Sequence, residues 1–185
     1  MRLTVRFGDL LAIYRAELLQ RVVPFWQEHA IDWENGGIAT CIGDDGQVLS
    51  LDKYMWSQLR AIWTFSRLYN RVERRPEWLE IAQHIYRFVQ VHGRDEQGRW
   101  VFAVDKDGRV LQGANSIYAD GFAIYGLTEL ARATGDQEVL DLALDTYRNA
   151  QAQLSRPGSY ETAPYPLPEG IKAHGVSMIF ASVFG

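Results

Sequence analysis

The chain has 185 residues, of which 47% are hydrophobic and 23% charged, and its formal net charge is −4. This balance is that of an ordinary globular protein, and we expect residues 1–185 to form a single domain. The negative charge and the lack of a basic stripe argue against a nucleic-acid-binding surface, because phosphate contacts need clustered Lys and Arg.

The sequence favours neither a membrane nor an oxidising compartment. Cys41 is the only cysteine, so no internal disulfide can form, and the apolar run at residues 10–13 is soon broken by Arg15 and Glu17. No stretch approaches the ~20 apolar residues of a membrane span. We therefore expect a cytoplasmic protein.

The first third of the chain predicts two helices with a hairpin between them. Apolar residues at the helical period predict a helix over residues 8–29, whose final turn Pro24 should bend or end. A hairpin over residues 38–51 has its turn at Asp44, Asp45 and Gly46. Residues 53–72 are apolar on several sides, which is typical of a buried helix.

The same succession follows in the rest of the chain. Pro76 opens a helix with one polar side over residues 76–91, and a second hairpin covers residues 100–111. A second buried helix is predicted over residues 116–134. Gly135 and Asp136 then mark a stop and a restart before a half-exposed helix over residues 136–154. A third buried helix should start at His174.

A spacing of 62 positions relates the two successions. It joins Gly36 to Gly98, Gly46 to Gly108, Trp56 to Tyr118, Gln58 to Asp120, Ala61 to Ala123, Ile62 to Ile124, Trp63 to Tyr125 and Leu68 to Leu130. Repeats of this length stack, because a single unit cannot bury its own apolar face. A third unit begins near Tyr160.

Buried helices that alternate with half-exposed ones predict an inner and an outer layer. We therefore predict an all-α fold, an α/α toroid or (α/α)6 barrel of helical hairpins with short β-hairpin loops. Six units of ~62 residues would need roughly 370 residues. We expect this chain to supply about the first half of the ring, as a truncated N-terminal portion.

Arg60 is a candidate catalytic residue. It lies near the start of a helix that otherwise looks buried, where a guanidinium is costly without a partner. One interpretation is a structural ion pair with a nearby carboxylate. The other is an anchor for an anionic or polarised oxygen in the mouth of the ring, since Arg is always charged and its donors form a planar fork.

His174 is the second candidate catalytic residue. It follows a proline-rich loop and opens an apolar run, so it should face the interior of the ring. Imidazole exchanges protons near neutral pH; the alternative is a helix-entry residue bonded to backbone. We interpret His29, His84 and His92 as structural or solvated.

Six further residues form a predicted polar and aromatic rim that binds hydroxyl groups. All occur near the start of an inner helix in one unit or the other: Tyr54, Trp56, Gln58, Asn115, Tyr118 and Asp120. Glu, Asp and His do not cluster at metal-ligand spacing, and nucleotide glycine motifs are missing. We expect no metal and no other cofactor.

Several of these segments resemble a known family. WENGG at 33–37, GDDG at 43–46, KYMWSQLRAIW at 53–63 and LY at 68–69 are similar to the N-terminal half of the N-acylglucosamine 2-epimerase family. Cellobiose 2-epimerases and aldose–ketose isomerases acting on mannose and related hexoses belong to the same superfamily. The later match, over residues 116–130 and at His174, is looser.

The resemblance implies a carbohydrate isomerase with an (α/α)6 barrel and cofactor-free proton transfer at the carbon beside a sugar carbonyl. Arg60 would then steady the charge of an enediolate. His174 would bind the sugar or assist ring opening and proton movement. The histidines that act as acid and base in the family lie further along its sequence, so we expect these 185 residues alone to be inactive.

Two other interpretations stay open at this point. The chain could be a catalytically incompetent fragment or sugar-binding half-barrel, whose apolar edge would need a partner or a homodimer. That edge consists of Met178, Ile179, Phe180, Val183 and Phe184. It could also belong to a glycoside hydrolase, which needs paired carboxylates across the ring. Asp120 is one candidate, and no second is evident.

Overall fold

The computed structural model describes residues 6–156, 158–168, 170–171 and 173–184, and these form helices joined by short hairpins. The helices are α1 (Phe7–Glu17), α2 (Val23–His29), α3 (Met55–Arg71), α4 (Pro76–His92), α5 (Ile117–Thr134), α6 (Gln137–Leu154) and α7 (His174–Phe184). Every helix predicted from the sequence is present, with ends within two residues of those expected.

Pro24 does not end the first helix. A π-helical turn, Leu18–Val22, joins α1 to α2, and the N–H of Val23 bonds to the carbonyl of Leu18, five residues back. Pro24 then stands in the first turn of α2. A proline there does not remove a hydrogen bond that the helix needs. The wide turn therefore lets the chain stay helical to His29.

Three predicted helix ends are confirmed by the residues found there. Pro76 is the first residue of α4. Gly135 ends α5 with φ at 74°, a conformation that glycine adopts without strain. The side chain of Asp136 accepts from the N–H groups of Glu138 and Val139 and so caps α6.

Within the described ranges, five short strands form two small antiparallel sheets. They are β1 (Cys41–Ile42), β2 (Val48–Ser50), β3 (Lys53–Tyr54), β4 (Ala103–Val104) and β5 (Val110–Gln112). The pairs β1–β2 and β4–β5 are the two predicted hairpins. Strand β3 was expected to be helical, but it pairs with β4 of the second unit, and α3 begins only at Met55.

The turn of each hairpin packs against the histidine that ends the preceding outer helix. Gly46 and Gly108 both have φ near +85°, and a Cβ on Gly46 would lie 2.6 Å from Nδ1 of His29. A Cβ on Gly108 would clash in the same way with the imidazole ring of His92. His29 and His92 thus serve as matching supports for the two hairpins.

The helices form two layers, as predicted. The inner helices are α3, α5 and α7; α3 packs on α4 and α5, and α5 packs on α6 and α7. Glu129 of α5, only 3% exposed, accepts from Arg67 and Asn70 of α3 and ties the two inner helices together. Among the described residues, no helix is both long and apolar enough to cross a membrane.

The apolar edge expected on α7 is only partly exposed. Met178 and Phe184 are 55% and 40% exposed, but Phe180 is buried. Phe180 packs with Val176 against Ile117 and Ile124 of α5 in a small second core. The expectation of exposure was therefore wrong for Phe180, because α7 already docks on α5 with that face.

A buried ion pair fixes the start of α3. Nζ of Lys53, whose side chain is fully buried, lies 2.7 Å from Oδ2 of Asp32. Burial alone would raise the pKa of Asp32, but hydrogen bonds from Lys53 and Asn35 and the Lys53 charge hold it below its usual value. The pair joins the loop after α2 to β3, immediately before the candidate site.

Candidate functional site

Four aromatic rings meet where α3 and α5 begin, and we name them the aromatic cluster. The ring of Tyr54 lies 5.6 Å from that of Phe102, measured between centroids, and Trp56 lies 5.8 Å from Phe102. Trp56 also meets Phe122 edge-on at 6.5 Å. The structure thus brings together Tyr54 and Trp56, two of the predicted rim residues, and adds two phenylalanines to them.

Arg60 lies beside this cluster and is exposed, so the expectation of a buried guanidinium was wrong. Its Cζ lies 5.3 Å from the ring centroid of Phe122. Within the part of the chain that the structure describes, its guanidinium forms no salt bridge. An aromatic face attracts a cation without occupying its N–H groups. All the guanidinium donors therefore stay available to a ligand.

His174 is the first residue of α7, as predicted, and it is exposed. Tyr118 lies beside this helix start, because a Cβ on Gly175 would be 2.8 Å from the Tyr118 hydroxyl oxygen. Burial, and then the neighbouring Tyr160, raise the pKa of Tyr118 above its ordinary value. Tyr118 also stands one helical turn before Phe122, so it continues the face that carries the aromatic cluster.

Gln58 does not belong to this face. Its side chain is buried, and its amide both donates to the carbonyl of Ile38 and accepts from the N–H of Ile38, at 2.7 and 2.8 Å. The prediction that Gln58 binds hydroxyl groups finds no support, since its hydrogen-bonding groups are already engaged. We leave it out of the candidate site.

Asn115 lies apart from the aromatic cluster. Its Oδ1 is buried and has no hydrogen-bond partner among the described residues. Asn115 lines a cavity of about 450 Å³ beneath the loop at 160–167. Its backbone carbonyl accepts from Ala163 of that loop. Its role in binding stays a prediction.

Asp120 also turns away from Tyr118, although the two are neighbours on α5. It lines a cavity of about 370 Å³ together with Gln153 of the outer helix α6. Burial raises the pKa of Asp120 to about 7, against a smaller lowering by its own backbone N–H. The predicted rim therefore divides into an inner face with Tyr54, Trp56 and Tyr118 and a separate cavity beside Asp120.

Phe102 and Phe122 are the residues that sequence reasoning missed. Phe122 stands 62 positions after Arg60, and this spacing was visible in the sequence. The contact between the two positions depends on α3 and α5 packing side by side, and the residue types alone do not reveal it.

Comparison with known proteins identifies the family. The family model described as N-acylglucosamine 2-epimerase (GlcNAc 2-epimerase) matches residues 36–170. The chain belongs to the N-acylglucosamine 2-epimerase family. The matched segment of this family member includes the aromatic cluster and Arg60 and ends before His174.

Individual relatives agree with this assignment. An N-acylglucosamine 2-epimerase from Bos taurus is 36% identical over 155 residues, which are 77% of this chain and 36% of the relative. A cellobiose 2-epimerase from Bacteroides fragilis is 36% identical over 138 residues, 74% of this chain and 35% of the relative. The chain thus spans a little over a third of the curated relatives that it matches.

A solved structure supports the fold in the same way. Cellobiose 2-epimerase from Spirochaeta thermophila DSM 6192 superposes with a TM-score of 0.76 at 28% identity, covering 92% of this chain and 45% of that one. The predicted architecture is therefore confirmed: the chain has an α/α toroid fold and corresponds to less than half of that epimerase.

Proposed function

We propose that this chain forms the sugar-binding N-terminal part of a 2-epimerase that interconverts C2 epimers such as N-acetylglucosamine and N-acetylmannosamine. The substrate carbonyl would lie at the face that carries Arg60 and the aromatic cluster. The relatives support this assignment, since they are N-acylglucosamine and cellobiose 2-epimerases. We also propose a cytoplasmic location, which the lone Cys41 favours.

The observation that carries the proposal is the guanidinium of Arg60 on the ring of Phe122. A carboxylate partner would cancel its charge and take up its donors, whereas Phe122 does neither. An arginine held in this way presents a full positive charge and a planar fork to an oxygen that becomes negative. Fixed charges of this kind stabilise an enolate or enediolate strongly, because they need little reorganisation during the reaction.

The mechanism is proton transfer at C2. The sugar ring opens, a histidine removes the C2 proton, and Arg60 stabilises the negative charge on the carbonyl oxygen. Return of the proton to the other face of C2 gives the epimer. In a sugar whose C2 carries a hydroxyl group, return of the proton to C1 gives the ketose. His174 and Tyr118, at the start of α7, would bind hydroxyl groups or assist ring opening.

The aromatic cluster suits the substrate as well. Sugars present flat patches of C–H groups beside their hydroxyls, and Trp and Tyr offer an apolar face with a polar edge. Trp56 is half-buried against Phe102 and Phe122, so its ring is held in place while part of it stays accessible. Trp56 and Tyr54 would therefore hold the sugar beside Arg60.

Steady-state kinetics test the proposal in a polypeptide that joins this chain to the remaining helices of the ring. Formation of N-acetylmannosamine from N-acetylglucosamine should lose ~10²–10³ in kcat in Arg60→Ala, because one charge-stabilising group is removed. Trp56→Ala should act mainly on KM. Arg148→Ala, an exposed arginine paired with Asp145 on α6, is the matched control. Equal kcat in Arg60→Ala and Arg148→Ala would overturn the role of Arg60.

A glycoside hydrolase is not favoured by the site. That reaction needs two carboxyl groups on opposite sides of the bond to be cleaved. Asp120, the candidate from the sequence, lines a cavity next to the outer helix α6 instead of the face with Arg60.

A further inference from the structure

The two repeats differ in how one buried backbone position is hydrogen-bonded. In the first unit, Ile38 follows the loop after an outer helix, and its backbone N–H and C=O both bond to the amide of Gln58. Gly37 leaves room for this contact, since a Cβ there would lie 2.6 Å from Oε1 of Gln58. The amide thus satisfies one buried donor and one buried acceptor at once.

In the second unit, Trp100 takes the place of Ile38 and Asp120 takes the place of Gln58, each 62 positions later. Both Ile38 and Trp100 form an isolated β-bridge with a residue just beyond the preceding helix, Ile31 after α2 and Arg94 after α4. The indole of Trp100 donates to Oγ1 of Thr146, which fixes the residue against α6. Trp100 is buried, with only 2% of its surface exposed.

The backbone of Trp100 lacks the partner that Ile38 has. In the described ranges, neither its N–H nor its C=O forms a hydrogen bond, while the neighbouring Val101 bonds to Gly93. Aspartate is one methylene shorter than glutamine, so the carboxyl of Asp120 does not reach Trp100 as Gln58 reaches Ile38. Buried polar groups without partners destabilise the folded state.

A cavity of about 370 Å³ lies beside Trp100 and Asp120. It is lined by polar groups from three parts of the chain, namely Ser116, Asp120, Gln153, Ser159 and Tyr160, and by Trp100. This volume is several times the ~30 Å³ of one water molecule and lies within the ~300–1,000 Å³ typical of ligand sites. The cavity therefore offers unmet hydrogen bonds and room for a small molecule.

We propose that this cavity is a second binding site, which takes a hydroxyl-rich molecule of monosaccharide size. A hydroxyl group both donates and accepts, so neighbouring hydroxyls on one molecule can serve the C=O and the N–H of Trp100 together. Arg99 and Glu161, of opposite charge, also line the cavity and favour a neutral ligand. The carboxyl of Asp120, whose pKa burial raises to about 7, can donate as well as accept near neutral pH.

This site is separate from the face proposed for catalysis. Its lining includes Gln153 of the outer helix α6, whereas Arg60, Trp56, Tyr118 and His174 do not contribute to it. It does not depend on the proposed epimerase activity. A polyol without a carbonyl group should bind in the cavity, although such a molecule cannot form an enediolate.

Nuclear magnetic resonance of the ¹⁵N-labelled chain, titrated with glucitol, tests the proposal. We expect saturable shifts of the backbone and indole N–H signals of Trp100 in the wild type and equally in Arg60→Ala. In Asp120→Gln, the longer amide should bond to Trp100 as Gln58 bonds to Ile38 and close the site. Affinity should then fall at least about tenfold while the melting temperature is unchanged or higher.

The contrary results are equally clear. A wild-type chain without saturable shifts at Trp100 would overturn the proposal, as would Asp120→Gln binding glucitol as tightly as the wild type. Gln153→Trp fills the same cavity from α6 and gives a second blocking variant if Asp120→Gln does not fold. Loss of activity in Arg60→Ala with unchanged glucitol binding would separate this site from the catalytic face.

Discussion

The ring of Trp63 stacks on that of Tyr125 at 4.5 Å, with 16° between their planes, and the two residues stand 62 positions apart. Two other contacts between α3 and α5 have the same spacing, namely Arg60 with Phe122 and Arg67 with Glu129. Equivalent positions of the two repeats therefore touch each other. This requires α3 and α5 to run side by side in the same direction and at the same level.

The stacked pair should contribute to stability beyond the burial of its parts. In a double-mutant cycle of Trp63→Ala and Tyr125→Ala, we expect a coupling energy of about 0.5–1.5 kcal/mol, because parallel displaced rings attract each other. Urea unfolding of the four proteins measures it. Strictly additive losses would show that the stack is only a consequence of helix packing.

The buried Lys53–Asp32 pair should contribute far more to the free energy of unfolding than an exposed ion pair does. Lys53→Met leaves the carboxylate of Asp32 buried without its cation, and we expect a loss of about 3–5 kcal/mol in the free energy of unfolding. Lys106→Ala, which breaks the exposed pair with Asp107, should leave the free energy of unfolding almost unchanged, because water screens that pair. Similar losses in the two variants would contradict this account.

The same pair has a defined pH dependence. The pKa of Asp32 is lower in the folded chain than its ordinary 3.8. Its stabilising effect is therefore present above about pH 4 and is lost as the pH falls through the folded value. As the pH falls below about 4, the free energy of unfolding should therefore decrease less in Lys53→Met than in the wild type.

Asp120 should have the opposite pH dependence. Its pKa is raised from 3.8 to about 7 in the folded chain, so between these values the folded state holds a proton that the unfolded state has lost. The contribution of this group to the free energy of unfolding therefore falls as the pH rises from about 4 to about 7, and it stays constant above pH 7. At ~1.4 kcal/mol per pH unit, the total fall is at most about 4 kcal/mol. Asp120→Asn should remove the slope in urea unfolding. An unchanged slope would place the titrating group elsewhere.

The open edges of the half-ring should make the isolated chain associate. Phe7, Leu11 and Tyr14 of α1 are each at least 69% exposed and share one helix face, and Met178 is exposed on α7. Size-exclusion chromatography with light scattering should show dimers or larger species. Leu11→Asp should weaken the association, whereas Leu144→Asp on the outer helix α6 should not. A monodisperse monomer would contradict the expectation.

Much of the fold could be predicted from the sequence, because it is encoded locally. The helical periods and the residues Pro76, Gly135 and Asp136 mark helix ends directly. Strand β3 was missed since two residues carry no periodicity and their pairing with β4 is non-local. The π turn before Pro24 was missed because the sequence shows where a helix is disturbed and not how the chain accommodates it.

The site was harder to predict than the fold. The shared position of the rim residues in the repeat suggested a single surface, but residues two positions apart on a helix, such as Tyr118 and Asp120, point to different sides. Gln58 illustrates the same limit. An amide near a helix start can bind a sugar hydroxyl or bond to the protein backbone, and in the structure it bonds to Ile38. Only the packing of α3 on α5 reveals Phe122 as the neighbour of Arg60.

Proton exchange at C2 is the measurement closest to the central claim. A polypeptide that carries this chain within a complete ring would be incubated with N-acetylglucosamine in heavy water, and the C2 proton signal followed by nuclear magnetic resonance. We predict exchange in the wild type and in Arg148→Ala, and exchange ~10²–10³ slower in Arg60→Ala. Equal exchange rates in the wild type and Arg60→Ala would contradict the role assigned to Arg60.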